Sequence, residues 1–503
     1  MNFKKFLSML LCLVLVFTLV SCGDDDNPTP TPTPSDGGDI TYWDQDGNGI
    51  EDWQEKECTI TFATWQYTDP EGLNVTIDTV MADRFMEKYP NIHIQFVTAG
   101  EEYEYDENMI MMMETNTLPD VFLIRRLETF LPYNMLANIT EMYANDDDTQ
   151  YIFKSLESGG VYKGLRYAVP TYIYPQFWVV NKTLLNEKNI PIPSYDWTWE
   201  QMESIAKQAN DESKHIIGLY GRQGYYGEGA TSAYQTELTK ILKIREDATV
   251  GKTWAGWGYD GVRFNFDSSA FLQAMNKMET ALSEGWMKRG LTAEEKLEYY
   301  SAEDYKPTSG GKVAIWQEAS WSFKDEISVI GETFEWDIYP GPSGVTGGNS
   351  DIIGISSLCR NKQAAYQFMK WMSYSEEGIL TRFDIYRNYG SELYVQGNNY
   401  PYPIADYGID AYGVNQIWDN IPYGDTAPGL VTAQYKEALR NGAFKLNKEV
   451  VGWDAVDYVA GGYFADIFAG DTTFAAVQQQ IQIDADAEFA RIREEIDAAL
   501  NLR

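Results

Sequence analysis

Apolar residues follow two rhythms along this chain. Residues 58–65, Cys58-Thr-Ile-Thr-Phe-Ala-Thr-Trp65, carry β-branched and aromatic side chains in alternation, the period of a strand with one buried face. Ile77, Val80, Met81 and Phe85 then recur at helical spacing, and Pro90 closes the run. Residues 92–96 alternate as a second strand, 109–115 continue as a helix, and 118–124 give a third strand. Strand, helix, strand, helix, strand in close succession predicts a parallel α/β sheet. The idiom returns in a strand at 168–181, an amphipathic helix at 198–209, a strand at 312–316, and helices at 362–372 and 473–500. No short-period internal repeat is present, and 503 residues exceed what one ordinary hydrophobic core organises, so two lobes are expected.

The first fifty-odd positions break this pattern. Lys4 and Lys5 precede an apolar run over 6–20, and Leu19-Val20-Ser21-Cys22 ends it with small or apolar residues before a cysteine. That is a lipobox, so 1–22 read as a lipoprotein signal peptide and Cys22 as the residue that becomes acylated. The run is short for a membrane-spanning helix, and no second one follows. Residues 23–43 are acidic, then Pro/Thr-alternating, a composition that buries nothing and favours extended polyproline II. The expected location is the extracytoplasmic face of the cell membrane, held by lipid.

Between spacer and body, 44–56 contain Asp44-Gln-Asp46-Gly-Asn48-Gly49-Ile50-Glu-Asp52-Trp-Gln-Glu55, which fits D-x-[DN]-x-[DN]-G-x5-E without a mismatch. Oxygens of Asp44, Asp46, Asn48, the Ile50 carbonyl, Asp52 and Glu55 suit a hard cation, so a structural Ca2+ is the expected cofactor. The apolar residue falls at loop position seven rather than eight, and no helix enters the loop. It therefore resembles the calcium repeats of thrombospondin type 3-like segments more than an EF-hand.

Charge and composition narrow the partners. Acids outnumber bases 75 to 39, giving −36, which repels phosphate backbones and excludes nucleic acid. With 35 Tyr, 22 Phe and 15 Trp there are more rings than a core needs, and flat apolar faces edged by polar groups suit carbohydrate. Cys12 leaves with the signal, so Cys58 and Cys359 alone stay in the body, as one disulfide or as two buried thiols. Only His93 and His215 exist, and there is no G-x-S-x-G elbow, P-loop or histidine metal motif, so no enzyme site can be named.

Several stretches then appear in a fixed order. They are the strand ending in Trp65, Phe85-Met-Glu-Lys-Tyr-Pro-Asn-Ile92, Thr117-Leu-Pro-Asp-Val-Phe122, Tyr162-Lys-Gly164 with Tyr167-Ala-Val-Pro170, and Val179-Val-Asn-Lys182. Trp197-Thr-Trp199-Glu, Gly311-Lys-Val-Ala-Ile-Trp316, Gly354-Ile-Ser356 and Asn361-Lys-Gln-Ala-Ala365 follow. In that order the chain, from about Thr59 onward, resembles extracellular solute-binding protein family 1, the sugar-binding components of ABC importers; 382–470 match only loosely. The resemblance implies an α/β, two-lobed periplasmic-binding-protein type II fold with hinge crossings near 170–172 and 348–355 and an interlobe cleft. Lobe 1 would be 57–170 plus 354–400, and lobe 2 171–353 plus 401–503.

It also implies a monomer that captures a sugar or oligosaccharide by lobe closure, presents the closed form to a permease pair, and is not an enzyme. Carried over position by position, the ligand residues are Trp65, Tyr67, Arg125, Tyr172, Tyr174, Glu318, Trp321, Asn349 and Asp351. Trp65, Tyr172 and Trp321 would stack on sugar faces, and Arg125, Glu318, Asn349 and Asp351 would bond hydroxyls. The alternatives are an exported polysaccharide hydrolase or lyase, and a calcium-dependent surface adhesion lipoprotein.

Overall fold

A computed structural model describes residues 40–65, 75–100, 104–220, 259, 262–288, 290–320, 330, 333–342, 348–389, 402–407, 427–441 and 450–502. The chain divides into two compact units, Met1–Ile50 and Glu51–Arg503. In the first, the Asp44 carboxylate accepts from the backbone N–H groups of Gly47 (2.8 Å) and Gly49 (2.8 Å), and Asn48 Oδ1 accepts from Ile50 N–H at 2.7 Å. In the second, the indole of Trp53 packs edge-on against Tyr89, and Asn91 Nδ2 donates to the Trp53 carbonyl at 3.0 Å.

The larger unit is built on strands β1 (Cys58–Ala63), β2 (Ile92–Phe96), β3 (Val121–Ile124), the β4–β5 hairpin (Val161–Tyr162, Leu165–Arg166), β6 (Ala168–Asn181), β7 (Ile217–Tyr220), β8 (Met287–Lys288), β9 (Val313–Ala319), β10 (Trp336–Tyr339) and β11 (Gly348–Ile355). The main sheet runs β2-β1-β3-β11-β6-β9-β7-β8, with β10 also on β6. β1 is parallel to β2 and β3, as the alternating pattern predicts, while β11 lies antiparallel between β3 and β6. The helices that matter below are α1 (Ile77–Lys88), α2 (Tyr105–Glu114), α3 (Trp199–Ala209), α4 (Ser269–Ser283), α5 (Lys362–Trp371), α6 (Glu376–Tyr389), α7 (Trp453–Ala469) and α8 (Phe474–Ala499).

β6 belongs to both halves of the sheet. From Ala168 to Pro175 it pairs with β11, and from Gln176 to Asn181 it pairs with β9 and β10. Two prolines mark the breaks. A proline cannot donate to a ladder, so in a central strand it is tolerated only where pairing is interrupted. Pro175 stands at the change of partner, and Pro170 at a bulge where Asp351 faces Tyr172 and Ile352 faces Pro170, leaving Thr171 unpaired. The two segments where hinge crossings are expected, 170–172 and 348–355, lie side by side at this bulge.

Each lobe has its own core. In the first, Phe62 packs edge-on against Phe96 and Phe368, and Phe85 against Phe368 and Trp371. In the second, Trp178, Trp197, Trp199, Met202, Phe264 and Phe271 are joined by Phe464, Phe474 and Ile481 of the two C-terminal helices. Burying a side chain of this size contributes roughly 1.5–3 kcal/mol. α3 follows from sequence in detail: Thr198 and Gln201 form a reciprocal capping box, and Trp199, Met202, Ile205, Ala206 and Ala209 share the buried face.

Three expectations are corrected. β9 extends past 316 to Ala319, because Gln317 and Glu318 pair with Trp178 and Phe177 of β6, and ladder pairing outweighs their polarity. α2 starts at Tyr105, ahead of the apolar run, because that ring is a buried anchor. The segment 402–407, assigned above to the second lobe, bonds to first-lobe backbone instead: Phe153 N–H donates to the Ile404 carbonyl and Asp406 N–H to that of Tyr151. The last turns of α8 also return to the first lobe, where Asp497 accepts from Tyr162 Oη at 2.9 Å and pairs with Lys163 at 2.5 Å. Lys163 and Gly164 both take positive φ, as the two-residue β4–β5 turn requires.

Candidate functional site at the junction of the lobes

Trp65 and Arg125 stand just past the carboxyl ends of β1 and β3, where open α/β sheets offer a crevice. The Arg125 guanidinium lies 5.8 Å over the Trp65 ring. Trp65 meets Tyr105 edge-to-face at 5.4 Å, and the Tyr105 hydroxyl reaches the carbonyls of Ala63 (3.2 Å) and Leu123 (3.1 Å), stapling the two strand ends together. Burial pushes the Tyr105 phenol well above its ordinary range, so it remains a donor.

A second group sits on the shared strands. Tyr172 and Tyr174 stack with centroids 6.3 Å apart. Tyr174 Oη donates to Asp351 Oδ2 at 2.8 Å, and Tyr172 Oη makes a short hydrogen bond to Asp78 Oδ1. Asp78 also accepts from Thr64 Oγ1 at 3.2 Å, and Thr64 adjoins Trp65 in the chain, so the two groups are continuous. Arg382 covers Tyr172 at 4.3 Å. Burial raises the Asp78 carboxyl above the usual carboxylate range, against the opposing pull of the Arg382 charge. Burial, then Asp351, raises the Tyr174 phenol.

The structure thus joins Trp65 with Arg125, and Tyr172 with Tyr174 and Asp351. Glu318 is buried on β9 opposite Phe177, and Asn349 occupies β11 opposite Tyr174. Tyr67, Trp321 and Cys22 lie outside the described residues. Cys58 and Cys359 are both thiols, and burial with Asp120 alongside pushes the Cys359 thiol up to about 12. Sequence reasoning missed Thr64, Asp78, Tyr105 and Arg382. Asp78 carried a faint signal, an acid in the first turn of a helix, but that position is ordinarily solvated. Among the described residues no helix is long and apolar enough to cross a membrane.

Two lobes joined through β6, with rings, carboxylates and a guanidinium gathered where that strand and β11 pass between them, form the type II periplasmic-binding fold. The chain belongs to the bacterial extracellular solute-binding protein family, whose sequence profile matches residues 68–378. Among solved structures it is similar to the sugar-binding protein MalE from the phytopathogen Xanthomonas citri, at 14% identity and TM-score 0.62 over 87% of this chain and 98% of that one. The cyclic alpha-maltosyl-1,6-maltose binding protein from Arthrobacter globiformis is 16% identical, TM-score 0.62, over 86% and 99%. An ABC substrate-binding protein of Listeria monocytogenes, in complex with cycloalternan, is 18% identical, TM-score 0.56, over 87% and 98%. At these identities the likeness shows the fold.

Proposed function

We propose that this protein is the substrate-binding component of an ABC importer, capturing a sugar or oligosaccharide between its lobes, with Cys22 acylated to hold it at the membrane. The observation that carries the reading is the continuous cluster from Trp65 and Arg125 to Tyr172, Tyr174 and Asp351 at the lobe junction, in a family of solute binders. Ring faces and fixed polar groups are what hydroxyl-rich, uncharged solutes require. Closure on a solute touching both lobes shifts an open–closed equilibrium, and the closed form is what a permease pair would read. Several fold relatives carry carbohydrate names, which supports this class of solute.

Titrating tryptophan fluorescence with a panel of oligosaccharides tests the reading. A saturable change without product is expected. Product formation would support the hydrolase alternative, and silence across the panel would remove the sugar assignment. For the Asp44 to Glu55 loop we propose a structural calcium ion. Calorimetry with calcium should show binding heat that Asp46→Ala loses, and identical traces would remove the ion.

A further inference from the structure

Helix α7 lacks the cap its first turn needs. Its N-cap is Gly452, with φ +98° and no side chain to accept from the free N–H groups. A Ser, Thr or Asp cannot stand there, since a Cβ would fall 2.6 Å from the Phe489 ring of α8. Glu128 supplies the cap from elsewhere in the chain. Its Oε1 accepts from Asp454 N–H at 3.0 Å, and its Oε2 makes a short hydrogen bond with Gly452 N–H. Glu128 belongs to the turn Leu127–Phe130 directly after β3, whose Leu127 and Phe130 are buried, with Phe130 against Phe122 of that strand. That turn is first-lobe, whereas α7 packs in the second-lobe core through Val456, Ala460 and Phe464. Arg126, beside Glu128, pairs with Asp454 at 2.6 Å.

We propose that Glu128 is a cross-lobe clasp: by capping α7 in place of a local residue, it ties the start of that helix to the first lobe and biases the lobes toward their closed arrangement. The bridge consists of protein groups alone, so it needs no solute, and the inference rests on the two-lobed fold rather than on the sugar assignment. An opening that separated β3 from α7 would leave Gly452 and Asp454 N–H groups to water and Glu128 without its donors. Hydrogen bonds to an ionisable partner of this kind are strong enough for their loss to move the closed-to-open ratio on the order of tenfold to a hundredfold.

The test uses the full chain without added sugar, as wild type, Glu128→Ala and Glu128→Gln. Small-angle scattering should give a larger radius of gyration for Glu128→Ala. Hydrogen exchange at Gly452 and Asp454 should quicken by on the order of tenfold to a hundredfold, from the same lost hydrogen bonds. Glu128→Gln keeps one acceptor and should recover part of both changes. Unchanged hydrogen exchange over α4 would show that the second lobe is intact. Faster exchange with an unaltered radius of gyration would make Glu128 a helix cap only and overturn the proposal, as would no change in either quantity.

Discussion

Replacing Arg382 by alanine is expected to lower the stability of the folded chain by about 3–5 kcal/mol, the usual consequence of removing one member of a buried charged network. Arg382 is 6% exposed. Its guanidinium donates to the carbonyl of Thr171 at 3.1 Å and, by a short bond, to that of Met372, while its plane covers Tyr172. Thr171 is the residue that the bulge in β6 leaves outside the ladder, so this arginine satisfies a carbonyl that no strand can. Its charge also opposes that of buried Asp78. Losing it therefore strands the Thr171 carbonyl and removes the opposite charge near Asp78, which keeps its hydrogen bonds from Tyr172 and Thr64. Arg382→Lys keeps the charge but not the planar fork, and should recover only part of the loss. Urea unfolding of the three proteins decides the matter; a loss below about 1 kcal/mol for Arg382→Ala, the scale of one ordinary hydrogen bond, would mean that water replaces its role.

Cys22→Ala is expected to release the protein completely from the membrane fraction and to abolish its labelling by radioactive palmitate. The expectation follows from the proposed thioether-linked acyl chains. Each buried methylene contributes about 0.8 kcal/mol, one chain gives marginal attachment, and two give stable attachment. The proposed export segment ends at that residue, and residues 23–43 after it are acidic and Pro/Thr-rich, with no apolar run. Retained label in Cys22→Ala would refute the anchor, and protein found in the membrane fraction without label would point to an uncleaved signal.

What could be read from sequence was local. The alternation over 168–181 gave β6 to the residue, and the capping pair Thr198 and Gln201 gave the start of α3. Trp65 and Arg125 were named from the family resemblance, which puts ligand contacts in loops after strands, where α/β sheets open a crevice. Asp78 and Arg382 were not accessible. Each lies on a helix, where a charged residue ordinarily faces water, and their partner Tyr172 is far along the chain from both. Glu128 was hidden for the same reason: a missing N-cap at Gly452 is visible in sequence, but not which distant carboxylate fills it. The boundary of the second lobe was misplaced at 402–407 because a few backbone hydrogen bonds, without a hydrophobic pattern, hold that segment to 151–153.

The placement of β11 has a consequence for how the chain is made. β3 ends at Ile124 and its neighbour β11 begins only at Gly348, so while the polypeptide is being synthesised one edge of the nascent first sheet has nothing to pair with. An open edge of buried, apolar strand is a template for association between chains. Completion must wait until β11 has been made as far as Ile355, which suits a protein whose proposed leader would send it across a membrane before it folds.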